Sequence, residues 1–274
     1  MRGMAARVRR HAAITAMALA LVACSSDSPT ATTATTQYLP GLAARVSLPG
    51  AVDRAPLVVM IPGGGWRTAD PSGFAGLADR LASDGITAVT VEIRAAEDDV
   101  VYPVPVQDVL CALAFASAEV RRLGVEPGPM VLLGHSSDAH LAALVALTPG
   151  ALSAECPYPI VEPDALIGLS GVYDVASAAD VALALFGPDA DDGVWDQGNP
   201  MLQAGSHPGL PVLLMHGDDD RVVPPSFTTG FDRVLAEGGH SVTSILVAGA
   251  DHHSIYTADV SGAAIVDFVA SLPR

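Results

Sequence analysis

Short, almost uninterrupted apolar runs alternate along this chain with longer stretches whose apolar residues recur every three or four positions. The short runs are Leu57–Ile61, Met130–Leu133, Ala165–Leu169 and Val212–Met215, and two further strands are read at Ile86–Ile93 and Ser241–Val247, both rich in β-branched residues. Between them, Phe74, Leu77, Ala78 and Leu81 fall on one helical face, as do Val106, Val109, Leu110 and Leu113. Further helices are predicted after Ser136, over Phe227–Leu235 and over Val260–Val269. A strand that is apolar at consecutive positions must be covered on both faces, and a mostly parallel sheet with helices above and below does that. An α/β fold follows, with its ligand site beyond the carboxyl ends of the strands. The 274 residues, half of them apolar, suit one such domain running from about residue 38 to the C-terminus.

All 14 basic residues are Arg, so a Schiff-base or Ser-Lys mechanism is excluded. Four of them lie in the first 23 residues, which contain no acid, against 30 acidic residues in the whole chain. Without that leader the balance falls from −16 to −20. A surface so acidic repels phosphate backbones, and nucleic acid is not expected as a partner.

The leader itself runs from Arg9-Arg10 into the apolar stretch Ala12–Ala23, too short to span a bilayer as a mature helix. It reads as an export signal over residues 1–23. Its end, Leu21-Val22-Ala23-Cys24, resembles a bacterial lipoprotein signal, which implies diacylation of Cys24 and a domain held on a membrane outside the cytoplasm. Residues 24–37 are rich in Ser, Thr and Ala, show no apolar period, and read as a flexible tether. Outside the cytoplasm, Cys111 and Cys156 either form a disulfide or stay as two buried thiols; spacing alone leaves both open.

Four blocks bear on chemistry. Gly134-His135-Ser136-Ser137 lies between a strand and a helix, a tight turn that presents Ser136 at the top of the sheet with the Ser137 N–H beside it. Gly63-Gly64-Gly65-Trp66 follows a strand, and glycines there let backbone N–H groups reach a developing oxyanion. His216-Gly217-Asp218-Asp219-Asp220 follows another strand and offers a carboxylate to orient an imidazole. Gly249-Ala250-Asp251-His252-His253 follows the last strand and offers that imidazole. A zinc site built from His252, His253 and nearby Asp residues has no familiar ligand spacing, and neither metal nor cofactor is expected.

Together these blocks resemble the α/β-hydrolase superfamily, in particular its small esterase and lipase branch with an H-G-G-G-W oxyanion loop. The likeness runs from about Leu57 to the C-terminus. His216-Gly217, Asp220, Val223 and Pro224 match the branch's H-G-x-x-D-x-x-V-P loop, while Gly249 and His252 match its G-x-x-H. What the resemblance implies is a carboxylic-ester hydrolase with feruloyl esterases, acetyl esterases and formamidases among its relatives. Its implied site has Ser136 as nucleophile, His252 as base, Asp220 as orienting acid, and N–H groups of Gly63 or Gly64 and of Ser137 as oxyanion donors. Trp66 and the segment 172–210 are expected to wall a pocket for a small ester.

Two positions depart from the branch. Pro62 stands where it has His, and Asp138 stands at the last position of G-x-S-x-G. A carboxylate at Asp138 would oppose the oxyanion by about 3 kcal/mol at an effective dielectric near 20. The alternative expectation is therefore a catalytically weakened hydrolase-fold lipoprotein that only binds ligands.

Overall fold

A computed structural model describes residues 31–50, 52–152 and 155–273. The signal segment and Cys24 lie outside the described residues. The described chain forms one sheet of eight strands in the order β1-β2-β4-β3-β5-β6-β7-β8. These are β1 (Thr32–Leu39), β2 (Leu42–Leu48), β3 (Arg54–Ile61), β4 (Thr87–Val91), β5 (Glu126–His135), β6 (Ala165–Leu169), β7 (Pro211–Gly217) and β8 (Ser241–Val247). From β4 through β8 neighbouring strands are parallel; β2 pairs antiparallel with both β1 and β4. The mostly parallel α/β sheet is as expected.

The continuous apolar runs are explained by what lies on each side. Leu57, Val59 and Ile61 of β3 face a core that includes α2 (Val104–Arg122) and α3 (Ser137–Leu147), whereas Val58 and Met60 face α1 (Ala75–Ser83) and α8 (Ala258–Ser271). The same alternation recurs in β5, where Leu132 points one way and Val131 and Leu133 the other. Each of these side chains is fully buried, and burying one contributes about 1.5–3 kcal/mol.

Chain order then places the site. From β3 the chain crosses through α1 to β4 on one side, then returns through α2 to β5 on the other side of β3. The loops leaving β3 and β5 therefore diverge and open a crevice at the carboxyl ends of these two strands. That is where Gly63–Gly65 and Ser136 lie.

Part of the segment expected to be a flexible tether is a strand. Thr32–Gln37 belongs to β1, whose backbone pairs with β2 from Thr32 opposite Leu48 to Leu39 opposite Leu42. Its Thr and Ala side chains at 32–35 are exposed, so ladder hydrogen bonds hold that part, while Tyr38 near its end is buried in the core and donates its hydroxyl to Glu92 O at 2.6 Å. The segment 172–210 contains α4 (Ala179–Phe186), α5 (Asp192–Gln197) and α6 (Pro200–Gln203), followed after β7 by α7 (Ser226–Glu237). Of the two states open to Cys111 and Cys156, the structure has the disulfide, Cα–Cα 5.5 Å, tying α2 to the loop before β6. Closing a loop of 45 residues removes denatured-state freedom worth about 4 kcal/mol in the chain-entropy account.

Candidate active site

Ser136 sits where β5 turns into α3 with φ 55° and ψ −126°, a left-handed conformation that no helix or strand supplies. Such a conformation costs on the order of 1–3 kcal/mol in a non-glycine residue. It is held by the Ser136 N–H on Leu169 O at 2.9 Å and by Ser136 O, which accepts from Val172 N at 3.2 Å. The turn also needs Gly134, because a Cβ there would lie 2.3 Å from the Asp138 carbonyl oxygen. Gly63 meets the turn from β3; a Cβ on it would be 2.8 Å from Ser136 Cβ.

His252, in the loop after β8, reaches both partners. Its Nδ1 lies 2.7 Å from Asp220 Oδ2 and its Nε2 lies 2.9 Å from Ser136 Oγ. With Nδ1–H donating to the carboxylate, Nε2 accepts the serine hydroxyl, the tautomer needed to take that proton. Asp220 is oriented from behind, as Oδ1 accepts the N–H groups of Val222 and Val223, both at 2.9 Å. Burial raises its carboxyl, but those N–H groups and His252 outweigh it and hold Asp220 below the ordinary range.

Two further histidines support this arrangement. His216 donates Nε2–H to Val223 O at 2.9 Å and accepts the Thr228 hydroxyl on Nδ1 at 2.7 Å, bracing the Asp220 loop. Burial lowers its pKa and keeps it neutral. His135 donates Nε2–H to the backbone oxygen of His252 at 2.9 Å. Burial and the adjacent His252 push His135 down to about 3, so it stays a neutral clamp. His140 of α3 packs edge-on against Trp66 and donates Nε2–H to Gly198 O at 2.7 Å.

The remaining sequence candidates separate clearly. His253 is exposed beside His252, with ring centroids 5.6 Å apart, while the Ser136 hydroxyl is bonded to His252. Asp218 accepts Gly249 N–H at 2.6 Å and Asp219 pairs with Arg221 at 3.1 Å, both exposed in their loop. The N–H of Gly64, expected as an oxyanion donor, points to a side chain in the structure. It donates to the Ser137 hydroxyl at 3.1 Å, and the Gly65 N–H donates to the same oxygen at 3.0 Å. Gly63 and the backbone of Ser137 remain beside Ser136. Nothing in the letter order of the chain signals that hydroxyl.

Asp138 is fully buried, and neither carboxyl oxygen has a hydrogen-bond partner among the described residues. Burial drives its pKa well above the ordinary carboxylate value, with the adjacent Ser137 hydroxyl acting in the other direction. The neutral acid is favoured, which removes the charge expected to oppose an oxyanion. The folded chain then holds a proton that the unfolded chain releases above about pH 3.9, so this group's contribution to stability is lost as pH rises toward its folded value. Relative to wild type, Asp138→Asn is expected to gain about 1.4 kcal/mol per pH unit over that window. Denaturant titrations at pH 5 and pH 7 read this; a difference independent of pH would show that Asp138 is ionised in the fold.

Above Ser136 lies a cavity of about 430 Å³ lined by Phe74, Val172, Val181, Val222, Phe227 and Tyr256 among others. Asp70 is its one carboxylate and is exposed. Trp66 contributes to the wall while being 3% exposed, its ring packed edge-on against His140. The segment 172–210 supplies Val172, Ala178 and Val181; α5 and α6 supply no wall residue. Phe227 of α7 and Tyr256 escaped the sequence reading because apolar residues near strand ends read equally well as core.

Residues 46–235 match the BD-FAE family model. Esterase LipC of Mycobacterium tuberculosis (strain ATCC 25618 / H37Rv) is 27% identical over 72% of this chain and 53% of its own length. A probable isoprenylcysteine alpha-carbonyl methylesterase, ICME of Oryza sativa subsp. japonica, is 25% identical over 75% of this chain and 53% of its own length. The chain thus spans about half the length of the curated relatives it matches. Among solved structures, a truncated carbohydrate esterase from gut microbiota superposes with TM-score 0.73 at 20% identity, covering 89% of this chain and 97% of that one. Propionate-bound esterase Est2 of Thermogutta terrifontis superposes with TM-score 0.70 at 20% identity, over 89% and 92%. These likenesses show the α/β-hydrolase fold.

Proposed function

The chain belongs to the BD-FAE family, and from that membership we propose that it hydrolyses carboxylic esters through Ser136, His252 and Asp220. The observation that supports this most is one imidazole bonded at once to a carboxylate, 2.7 Å away, and to a strained serine hydroxyl, 2.9 Å away, beneath an apolar cavity. His252 takes the proton as Ser136 Oγ attacks the ester carbonyl, and the imidazolium is stabilised by Asp220. The N–H groups of Gly63 and Ser137 receive the oxyanion, each such donor being worth about 3 kcal/mol of barrier. His252 then protonates the departing alcohol. Water, activated by the same imidazole, releases the acid from the acyl-enzyme.

The substrate is a small, neutral ester. The cavity lining is apolar, its carboxylate is Asp70, and the whole chain carries −16. Aryl esters with neutral acyl chains are expected to give a kcat/KM at least about tenfold above an ester whose acyl chain ends in carboxylate, since burying or repelling that charge costs more than 1.4 kcal/mol. A panel of graded acyl length tests this. Absence of hydrolysis across the panel, or preference for the charged ester, would remove the reading.

Localisation rests on the leader sequence. The Arg-rich start, Ala12–Ala23 and Cys24 support export and diacylation, with a short tether before β1. The protein made from the full chain should stay with the membrane fraction through high salt and leave it in detergent, because two acyl chains anchor stably where one does not. Release of the wild type by salt, or membrane retention of Cys24→Ala, contradicts that.

A further inference from the structure

The loop that leaves β3 is held to the elbow by a single hydroxyl. The consecutive N–H groups of Gly64 and Gly65 both donate to Ser137 Oγ, at 3.1 and 3.0 Å. Other backbone bonds of this loop run elsewhere: Arg67 N and Thr68 N close a turn on Gly64 O, and Ala96 N reaches Trp66 O. Pro62, at the loop's root, has no N–H to give. Ser137 itself is buried at the first position of α3, directly after the nucleophile. It lines the cavity together with Gly63, Gly64 and Gly65.

We propose that the Ser137 side chain is a positioning group for the oxyanion site, distinct from the role of its backbone N–H. By accepting from Gly64 and Gly65 it fixes the glycine loop against α3. That sets the distance between Gly63, packed on Ser136 Cβ, and the Ser137 N–H, the two groups left to share one oxyanion. Donors serve an oxyanion only within about 2.7–3.1 Å, and a displacement of about 1 Å in such a site can cost 100-fold in rate. The hydroxyl does not touch substrate. It acts through the loop, and this inference rests on the ester-hydrolase reading above.

The test compares Ser137→Ala, Ser137→Gly and Ser137→Thr with wild type on one neutral aryl ester. Ala and Gly both lack the acceptor and are expected to lower kcat by about 10- to 100-fold, with KM within about twofold, because ground-state binding does not use the oxyanion donors. Phosphonylation of Ser136 by a fluorophosphonate should slow in parallel, and the pH profile should stay in place because the His252–Asp220 pair is untouched. Thr retains a hydroxyl and should keep most of kcat. Equal kcat in wild type and Ala overturns the proposal, as does a rise in Ala, which would mean the hydroxyl competes with substrate for the N–H groups. A Thr variant that melts with wild type yet is as slow as Ala overturns it too. A wild type that hydrolyses no ester and takes up no phosphonate overturns the underlying reading instead.

Discussion

Replacing Ser136 with Ala is expected to lower kcat on a neutral aryl ester by on the order of a million-fold, leaving only what the oxyanion donors and the cavity provide without a nucleophile. The change deletes one oxygen from a residue with φ 55°. Ala tolerates that conformation about as poorly as Ser, and the backbone bonds to Leu169 and Val172 do not involve the side chain. Unfolding midpoints should therefore match those of wild type. That separates the loss from damage to the fold. A variant that retains more than about a thousandth of the wild-type rate would mean that another group attacks the carbonyl.

Asp220→Asn is expected to cost about 10⁴-fold in kcat, and the geometry gives the reason. Oδ1 of Asp220 receives the N–H groups of Val222 and Val223, while Oδ2 receives His252 Nδ1–H. An Asn side chain must keep its carbonyl oxygen toward the two N–H groups, which turns its NH₂ toward Nδ1. Nδ1 is then forced to accept, the ring proton moves to Nε2, and the imidazole donates to Ser136 where it needs to accept. KM should change little, since neither group binds the ground-state substrate. A loss below about tenfold, measured at the same pH, would mean that the tautomer of His252 is set by something other than Asp220.

Much of the fold is visible in the letter order because β3, β5, β6 and β7 are buried on both faces and so read as continuous apolar runs. β8 is more exposed, yet its β-branched residues and the preceding turn mark it over the same residues, Ser241–Val247. β1 leaves no such mark. The Thr-rich side chains over its first half face solvent and pairing with β2 holds them, so its composition there looks like that of a linker. β2 buries Leu42, Ala44 and Val46, and Ser47 beside them, a pattern too short and too mixed to stand out.

At the site, the groups legible beforehand were those whose position is set by a turn at a strand end. Ser136, Asp220 and His252 each follow a strand, and a parallel sheet delivers all strand ends to one edge. What could not be read is set by side-chain contacts between distant segments. The Ser137 hydroxyl takes the N–H of Gly64, and no spacing rule links residues 64 and 137. Asp138 is written in the sequence as a charge, and only its burial decides that the neutral form is favoured.

The most direct test is to treat the protein with a fluorophosphonate and map the adduct by mass spectrometry. Such a reagent phosphonylates a serine only when a base lowers the cost of removing its proton and donors receive the oxygen. One adduct per chain, on the peptide containing Ser136 and absent from His252→Ala, is the predicted result. An unlabelled protein, or labelling at Ser136 that persists without His252, would contradict the account.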